Sequence, residues 1–138
     1  MGSVSVVGPD DGEVIDLGPA RLRILEGGGT TAHRLAIVEI ALSPFGQGPP
    51  QHVHAEHDEG FCVVSGAARF TVGSTAHDAC AGVLVMVPPG VPHAFVNPGA
   101  EPLVMINTFT PDRYVQYFRD LRDARAGGAR RTGGPSPS

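Results

Sequence analysis

The sequence lacks lysine, an excess of positive charge and long apolar runs, and each absence argues against a class of function. It contains no lysine, since all ten of its basic residues are arginine, and a Schiff base on a lysine amine is therefore excluded. Its formal charge of −4 and pI near 5.8 argue against a nucleic-acid groove or an anionic membrane as partner. No apolar run approaches the roughly 20 residues that span a bilayer, so we expect no membrane segment.

Cysteine is scarce too, and the two cysteines are Cys62 and Cys80. The first residues show neither the basic nor the apolar region of a secretory signal, and we therefore expect a soluble cytoplasmic protein. In a reducing compartment both cysteines should be thiols that behave as small buried hydrophobes. Cys62 lies in an apolar run that is typical of a core strand.

The residues that are present favour an all-β fold. The chain has 138 residues and is 41% hydrophobic, which suits one domain with a single core. Its 19 glycines and 13 prolines indicate short strands joined by tight turns. We predict strands near 21–25, 35–42, 51–55, 59–64, 67–72, 76–80, 83–87, 93–97 and 102–109. Strands spaced so closely are typical of a sandwich or a barrel.

One helix is predicted after the last strand, with Thr110 as its cap and Pro111 at its first position. Its apolar stripe is formed by Tyr114, Tyr117, Phe118 and Leu121. The predicted organisation is a flexible N-terminus at 1–12, a barrel with its C-terminal helix at 13–126, the barrel core at about 34–110, and a disordered tail at 127–138.

Two segments offer metal-binding side chains at regular spacing. The first reads G-x5-H-x-H-x4-E-x6-G and the second reads G-x5-P-x-G-x2-H-x3-N. The positions are Gly46, His52, His54, Glu59 and Gly66 in the first segment, and Gly82, Pro88, Gly90, His93 and Asn97 in the second. The glycines and the proline are interpreted as turn residues, and Asn97 as a residue that closes the turn at a strand end.

The remaining four residues form a plausible ligand set for one metal ion. His52 and His54 are two apart on a predicted strand, so their side chains share a face. Glu59 follows a short turn and can lie on the same face of the next strand. His93 belongs to a strand that is distant in the sequence. Imidazole nitrogen with carboxylate oxygen suits Fe, Mn, Ni, Co, Cu or Zn. Four ligands on an octahedral ion leave two open positions, which is typical of a catalytic site.

Both segments resemble the two motifs of the cupin superfamily, and the chain looks like a small single-domain bacterial cupin. The resemblance implies a double-stranded β-helix, or jelly-roll barrel, with metal held inside it by His52, His54, Glu59 and His93. It also implies a homodimer formed through the sheets and a C-terminal helix packed on the barrel wall.

Three functions are compatible with this resemblance. The first is a metal-dependent dioxygenase similar to the quercetinase-like cupins, acting on a small enolisable, aromatic or polyketide-like metabolite, with Glu59 as ligand and catalytic base. The second is a non-redox isomerase, cyclase or lyase of secondary metabolism. The third is a small-ligand-binding cupin without turnover.

Other polar and apolar residues have simpler interpretations. We expect His33 and His77 to be exposed, His57 to lie at the barrel mouth or in solvent, and Glu56 and Asp58 to be surface charges. Six apolar residues either line a substrate pocket or fill the core: Phe61, Phe70, Met86, Phe95, Met105 and Phe109.

Overall fold

A computed structural model of the protein describes residues 3–48, 58–111 and 114–126, with the backbone alone at Tyr114. The described strands are β1 Glu13–Asp16, β2 Ala20–Glu26, β3 Ala36–Leu42, β4 Asp58–Ser65, β5 Ala67–Val72, β6 Thr75–Cys80, β7 Leu84–Val87, β8 His93–Val96 and β9 Leu103–Thr110. The helix α1 spans Tyr114–Ala126. The strand predicted at 51–55 and the tail at 127–138 lie outside the described residues.

The strands form two antiparallel sheets. The larger has the order β1-β2-β3-β9-β4-β7, and the smaller has the order β6-β5-β8. Strands β3 and β9 join segments far apart in the sequence, with Ile40 opposite Met105. The predicted all-β class with one C-terminal helix is confirmed.

The core lies on the faces of the two sheets that look inward. Burial alternates along β3 and β9, as expected of strands with one face in the core. The inward residues of these two strands are Ala36, Val38, Ile40, Leu42, Leu103, Met105, Asn107 and Phe109. This alternation sets which residues of β3 and β9 can reach the barrel interior.

Helix α1 adds its own apolar face to the core. Val115 and Phe118 are buried, and the Phe118 ring lies 6.4 Å from the ring of Phe109. Tyr117 is partly buried, in agreement with the predicted stripe. Thr110 is the last residue of β9, so its predicted role as the helix cap is wrong. The one helix in the described part of the chain is too short and too polar to cross a membrane.

An ion-pair cluster fixes the helix to the first strand. Glu13 of β1 accepts hydrogen bonds from Arg119 at 2.9 Å and from Arg122 at 3.0 Å. The Arg119 hydrogen bond is the main reason why the pKa of Glu13 is lowered; partial burial opposes it and Arg122 adds to it. The helix is thus attached by charge as well as by apolar contact.

Both cysteines are free and exposed, which corrects the prediction that they are buried. In β4 the neighbours Phe61 and Val63 point inward, so Cys62 between them points outward. Cys80 follows the inward residue Ala79 in β6 and is outward for the same reason. The apolar run around Cys62 predicted the strand correctly but could not give the direction of each side chain.

Candidate metal centre

Glu59 and His93 meet inside the barrel. Glu59 lies at the start of β4 in the larger sheet, and His93 begins β8 in the smaller sheet. Nε2 of His93 is 2.8 Å from Oε1 of Glu59. The two residues are 2% and 3% exposed, so the contact is shielded from water.

The local sequence explains why both side chains face inward. Glu59 shares the inward parity of Phe61 and Val63 along β4. His93 shares that of Phe95 along β8. The turn before β8 contains Gly90 at φ +81, a backbone conformation that glycine adopts without strain. Proline followed by glycine at this point therefore directs the chain into β8 with His93 pointing inward.

The His93 ring is oriented by its second nitrogen. Nδ1 lies 3.0 Å from the carbonyl oxygen of Val91, which can only accept, so Nδ1 carries a proton and donates it. This leaves Nε2 to face Glu59. Burial alone would lower the pKa of His93, but the Glu59 hydrogen bond, the Val91 carbonyl and the Glu59 charge outweigh it and raise the pKa.

The predicted ligands His52 and His54 lie outside the described residues, as do Glu56 and His57. In the described part of the chain no group of three or more His, Cys, Asp or Glu side chains comes together. The structure therefore brings together two of the four predicted ligands, Glu59 and His93.

The chemistry of this pair fits a transition-metal ion. A carboxylate oxygen and an imidazole nitrogen are borderline donors of the kind these ions prefer. Neighbouring ligand atoms on an ion with bonds of about 2.0–2.2 Å lie about 3 Å apart, close to the 2.8 Å observed between Glu59 and His93. The hydrogen bond from His93 Nδ1 to the Val91 carbonyl is of the kind that orients histidines in metal sites.

Three phenylalanines pack beside the pair. The Phe61 ring centre lies 5.0 Å from that of Phe70 and 5.4 Å from that of Phe95, and the last two are 5.7 Å apart. Phe61 also meets the His93 ring edge-on at 6.1 Å. These rings make the surroundings of Glu59 and His93 apolar.

The other predicted pocket residues divide into two groups. Met105 and Phe109 are buried on the inward face of β9, and Phe109 lies opposite Glu59. Met86 instead lies on the outer face of β7 and is 56% exposed. Its place in the predicted pocket is corrected, because only Val85 and Val87 of that strand have the inward parity.

No arginine is buried in the described part of the chain. Arg69 lies between the inward residues Ala68 and Phe70 of β5, so it points outward, where it is exposed and pairs with Asp78 at 2.8 Å. An anionic substrate would find no described cation beside Glu59 and His93.

Asn97 closes a turn, as predicted. Its side-chain nitrogen donates to the carbonyl oxygens of Glu101 at 2.7 Å and Ser43 at 3.1 Å, and its oxygen accepts from the Gly99 amide at 3.0 Å. His33, His77 and Asp58 are exposed, also as predicted.

Asn107 was not singled out by the sequence, although it is buried inside the barrel. Its side-chain nitrogen donates to the carbonyl oxygen of Gly60 at 2.9 Å. The available signal was its parity, because it lies between Met105 and Phe109 on the inward face of β9.

Comparison with known families identifies the fold. A family model described as the cupin domain matches residues 39–109, about half of the chain. The chain belongs to the cupin family. The match includes Glu59 and His93, and the predicted resemblance is confirmed for a small single-domain cupin.

Solved cupin structures are similar to this cupin in fold. An RmlC-like cupin from Shewanella frigidimarina is 26% identical, with 83% of this chain and 97% of that chain covered and a TM-score of 0.69. A sugar phosphate isomerase from Silicibacter pomeroyi is 20% identical, with 77% and 75% covered and a TM-score of 0.68. KdgF from a Halomonas species is 19% identical, with 79% and 94% covered and a TM-score of 0.68. No curated protein sequence gave a significant match.

Proposed function

We propose that this cupin is a metal-dependent oxygenase that acts on a small, uncharged, enolisable metabolite. The observation that carries the proposal is the buried Glu59–His93 contact of 2.8 Å in apolar surroundings. A carboxylate and an imidazole in such a position are well suited to hold an ion together with His52 and His54, the two ligands predicted from the sequence. The fit of donor types and spacing supports this assignment.

The bound ion would supply Lewis acidity toward the substrate oxygen and, if redox-active, a route for reaction with O₂. Glu59 is the residue placed to accept the proton that an enol or hydroxy-ketone loses. The Val91 carbonyl orients the His93 ring through Nδ1, so that Nε2 and the Glu59 carboxylate face the same point of the interior. Glu59 would bind the ion through one carboxylate oxygen and accept the proton with the other.

The surroundings indicate the kind of substrate. Phe61, Phe70 and Phe95 offer aromatic faces and edges that suit a planar or apolar molecule. The absence of a buried arginine from the described residues argues against a phosphorylated substrate, because phosphate oxygens need cationic donors when water is excluded. Both features favour an uncharged aromatic or polyketide-like molecule.

Oxygen consumption tests the proposal. Protein loaded with Fe²⁺ is mixed with a panel of vicinal hydroxy-ketones, including quercetin, in an oxygen electrode. We expect substrate-dependent O₂ uptake that is lost in Glu59→Gln, with His77→Ala as the control on an exposed histidine. Product formation that continues at the same rate without O₂ would exclude the oxygenase.

A second candidate is a non-redox isomerase, cyclase or lyase. One similar structure is a sugar phosphate isomerase, and a base such as Glu59 can move a proton without any oxidant. Activity that is retained with redox-inert Zn²⁺ and without O₂ would favour this candidate. Ligand binding with no product under any metal would instead favour a binding cupin.

We also propose that the protein forms a homodimer through the outer face of its larger sheet. An apolar outer patch lies there, formed by Cys62, Val64, Leu84, Met86 and Ile106. Leu84 and Val64 are 60% and 54% exposed, which is unusual for large apolar side chains in one place. The patch carries no charge, so a two-fold axis can place it against its own copy without like charges meeting.

A further inference from the structure

One buried polar atom inside the barrel has no hydrogen-bond partner among the described residues. The side-chain oxygen of Asn107 accepts no hydrogen bond within the described part of the chain, although Asn107 is 0% exposed. Buried acceptors in folded proteins are almost always paired with protein, water or ligand. No described residue supplies this partner, so a hydroxyl group of a bound molecule is a chemically suitable one.

The orientation of the Asn107 amide is fixed. Its nitrogen donates to the Gly60 carbonyl at 2.9 Å, and a rotated amide would bring two oxygens together there. Because the amide is planar, holding the nitrogen also holds the oxygen. The residue thus presents an acceptor whose direction is determined by β4.

The described strand neighbours of Asn107 on the inward face are apolar. Phe61 on β4 and Val38 on β3 lie opposite it, and Met105 and Phe109 precede and follow it on the inward face of β9. None of these side chains has a hydrogen-bond donor. Among these five side chains, Asn107 alone offers a strong hydrogen-bond acceptor.

Asn107 is also close to the proposed metal centre. Glu59 lies opposite Phe109, and Phe61 lies opposite Asn107, so Glu59 and Asn107 are diagonal neighbours on one face of the β4–β9 pair. Diagonal neighbours of this kind are about 7–8 Å apart. A molecule with one ring can span that distance.

We infer that Asn107 is a substrate-recognition residue whose amide oxygen accepts a hydrogen bond from a hydroxyl group of the substrate. This inference rests on the proposed function, because it places the reacting end of the substrate at Glu59 and His93. The substrate class is thereby narrowed to a planar, uncharged molecule that carries a hydroxyl donor in addition to its metal-binding oxygens. A methyl ether at the same position would leave the acceptor unpaired.

Binding of catechols to the Zn²⁺-loaded protein, measured by anaerobic calorimetry, tests this inference. Two triols, pyrogallol and hydroxyquinol, each add a third hydroxyl to catechol, and 3-methoxycatechol and 4-methoxycatechol are their methyl ethers. We expect wild type to bind at least one triol about tenfold more tightly than its methyl ether. Asn107→Leu, which keeps the side-chain size, should reduce that ratio to about one while catechol affinity stays within about threefold.

The controls separate this inference from the proposed function. Thr108→Val changes the next residue of β9 on the outer face and should keep the wild-type ratio. If Asn107→Leu does not fold, Asn107→Ser replaces it, and the same loss of the preference for the triol over its methyl ether is expected. The inference would be overturned if the wild type bound triol and methyl ether equally, or if the Asn107 variant kept the preference for the triol. A buried water would then be the partner of the amide oxygen. If catechol itself does not bind, the proposed metal centre fails, and the inference fails with it.

Discussion

Nε2 of His93 and Oε1 of Glu59 lie 2.8 Å apart, although the two residues are separated by 34 positions in the sequence. The contact links β4 of the larger sheet to β8 of the smaller sheet. It also places a carboxylate and an imidazole together where water is excluded. Burial of a carboxylate and an imidazole costs free energy unless the two groups satisfy each other or serve a function, and the proposed metal binding is such a function.

Metal content should depend on His93. His93→Ala removes one of few ligands, and we expect a loss of metal affinity at least as large as the roughly 10–100-fold that follows loss of a residue supporting a ligand. His52→Ala should behave in the same way. Elemental analysis after dialysis measures the effect, with His77→Ala as the matched exposed control. Equal metal content in all these proteins would contradict the proposed centre.

The helix attachment should weaken in acid. The pKa of Glu13 is lowered by Arg119 and Arg122, so its stabilising effect is present above the ordinary carboxylate pKa and is lost as the pH falls through the lowered value. Because Glu13 is 37% exposed, we expect at most about 1 kcal/mol. Urea unfolding measured at neutral pH and at successively lower pH, down to the lowest at which the wild type still folds, follows this loss. Glu13→Gln should be less stable than wild type only at the higher pH, and a difference that persists in acid would contradict this account.

Asn97 should contribute to the free energy of unfolding and not to metal binding. Asn97→Ala removes donors to the Ser43 and Glu101 carbonyls, and we expect a loss of about 2–3 kcal/mol in the free energy of unfolding. Asn97→Asp keeps the acceptor for Gly99 but not the donors, so it should not restore stability. Metal content per folded molecule should be unchanged in both. A fall in metal content without a fall in stability would instead place Asn97 in the site.

The oligomeric state should depend on the apolar outer patch. Wild type should elute at twice the monomer mass of 14.3 kDa in size-exclusion chromatography with light scattering. Leu84→Lys combined with Met86→Lys should give the monomer, because unpaired charges would be buried in the interface. Phe45→Lys is the control, since Phe45 is 68% exposed and lies in a loop after β3, outside the patch. A wild type that is monomeric at all concentrations would contradict the proposed dimer.

Much of the local structure was predictable from the sequence. Alternation of apolar residues gave β2, β3, β5 and β9 within one or two positions. Strand β1 was missed, because its four residues contain only Val14 and Ile15 as an apolar signal. Its stability comes from pairing with β2 and from the arginines of α1, which no local pattern contains.

The sequence by itself determined the types and spacing of the predicted ligands, the turns formed by glycine and proline, and the parity of side chains along each strand. Parity gives two sets of residues but not which set faces the core, and Cys62 and Met86 were misassigned for that reason. Only the tertiary structure decided that Glu59 contacts His93 and that the Asn107 oxygen lies buried with no partner among the described residues. These are contacts between strands distant in sequence, and they depend on the register in which the strands pair.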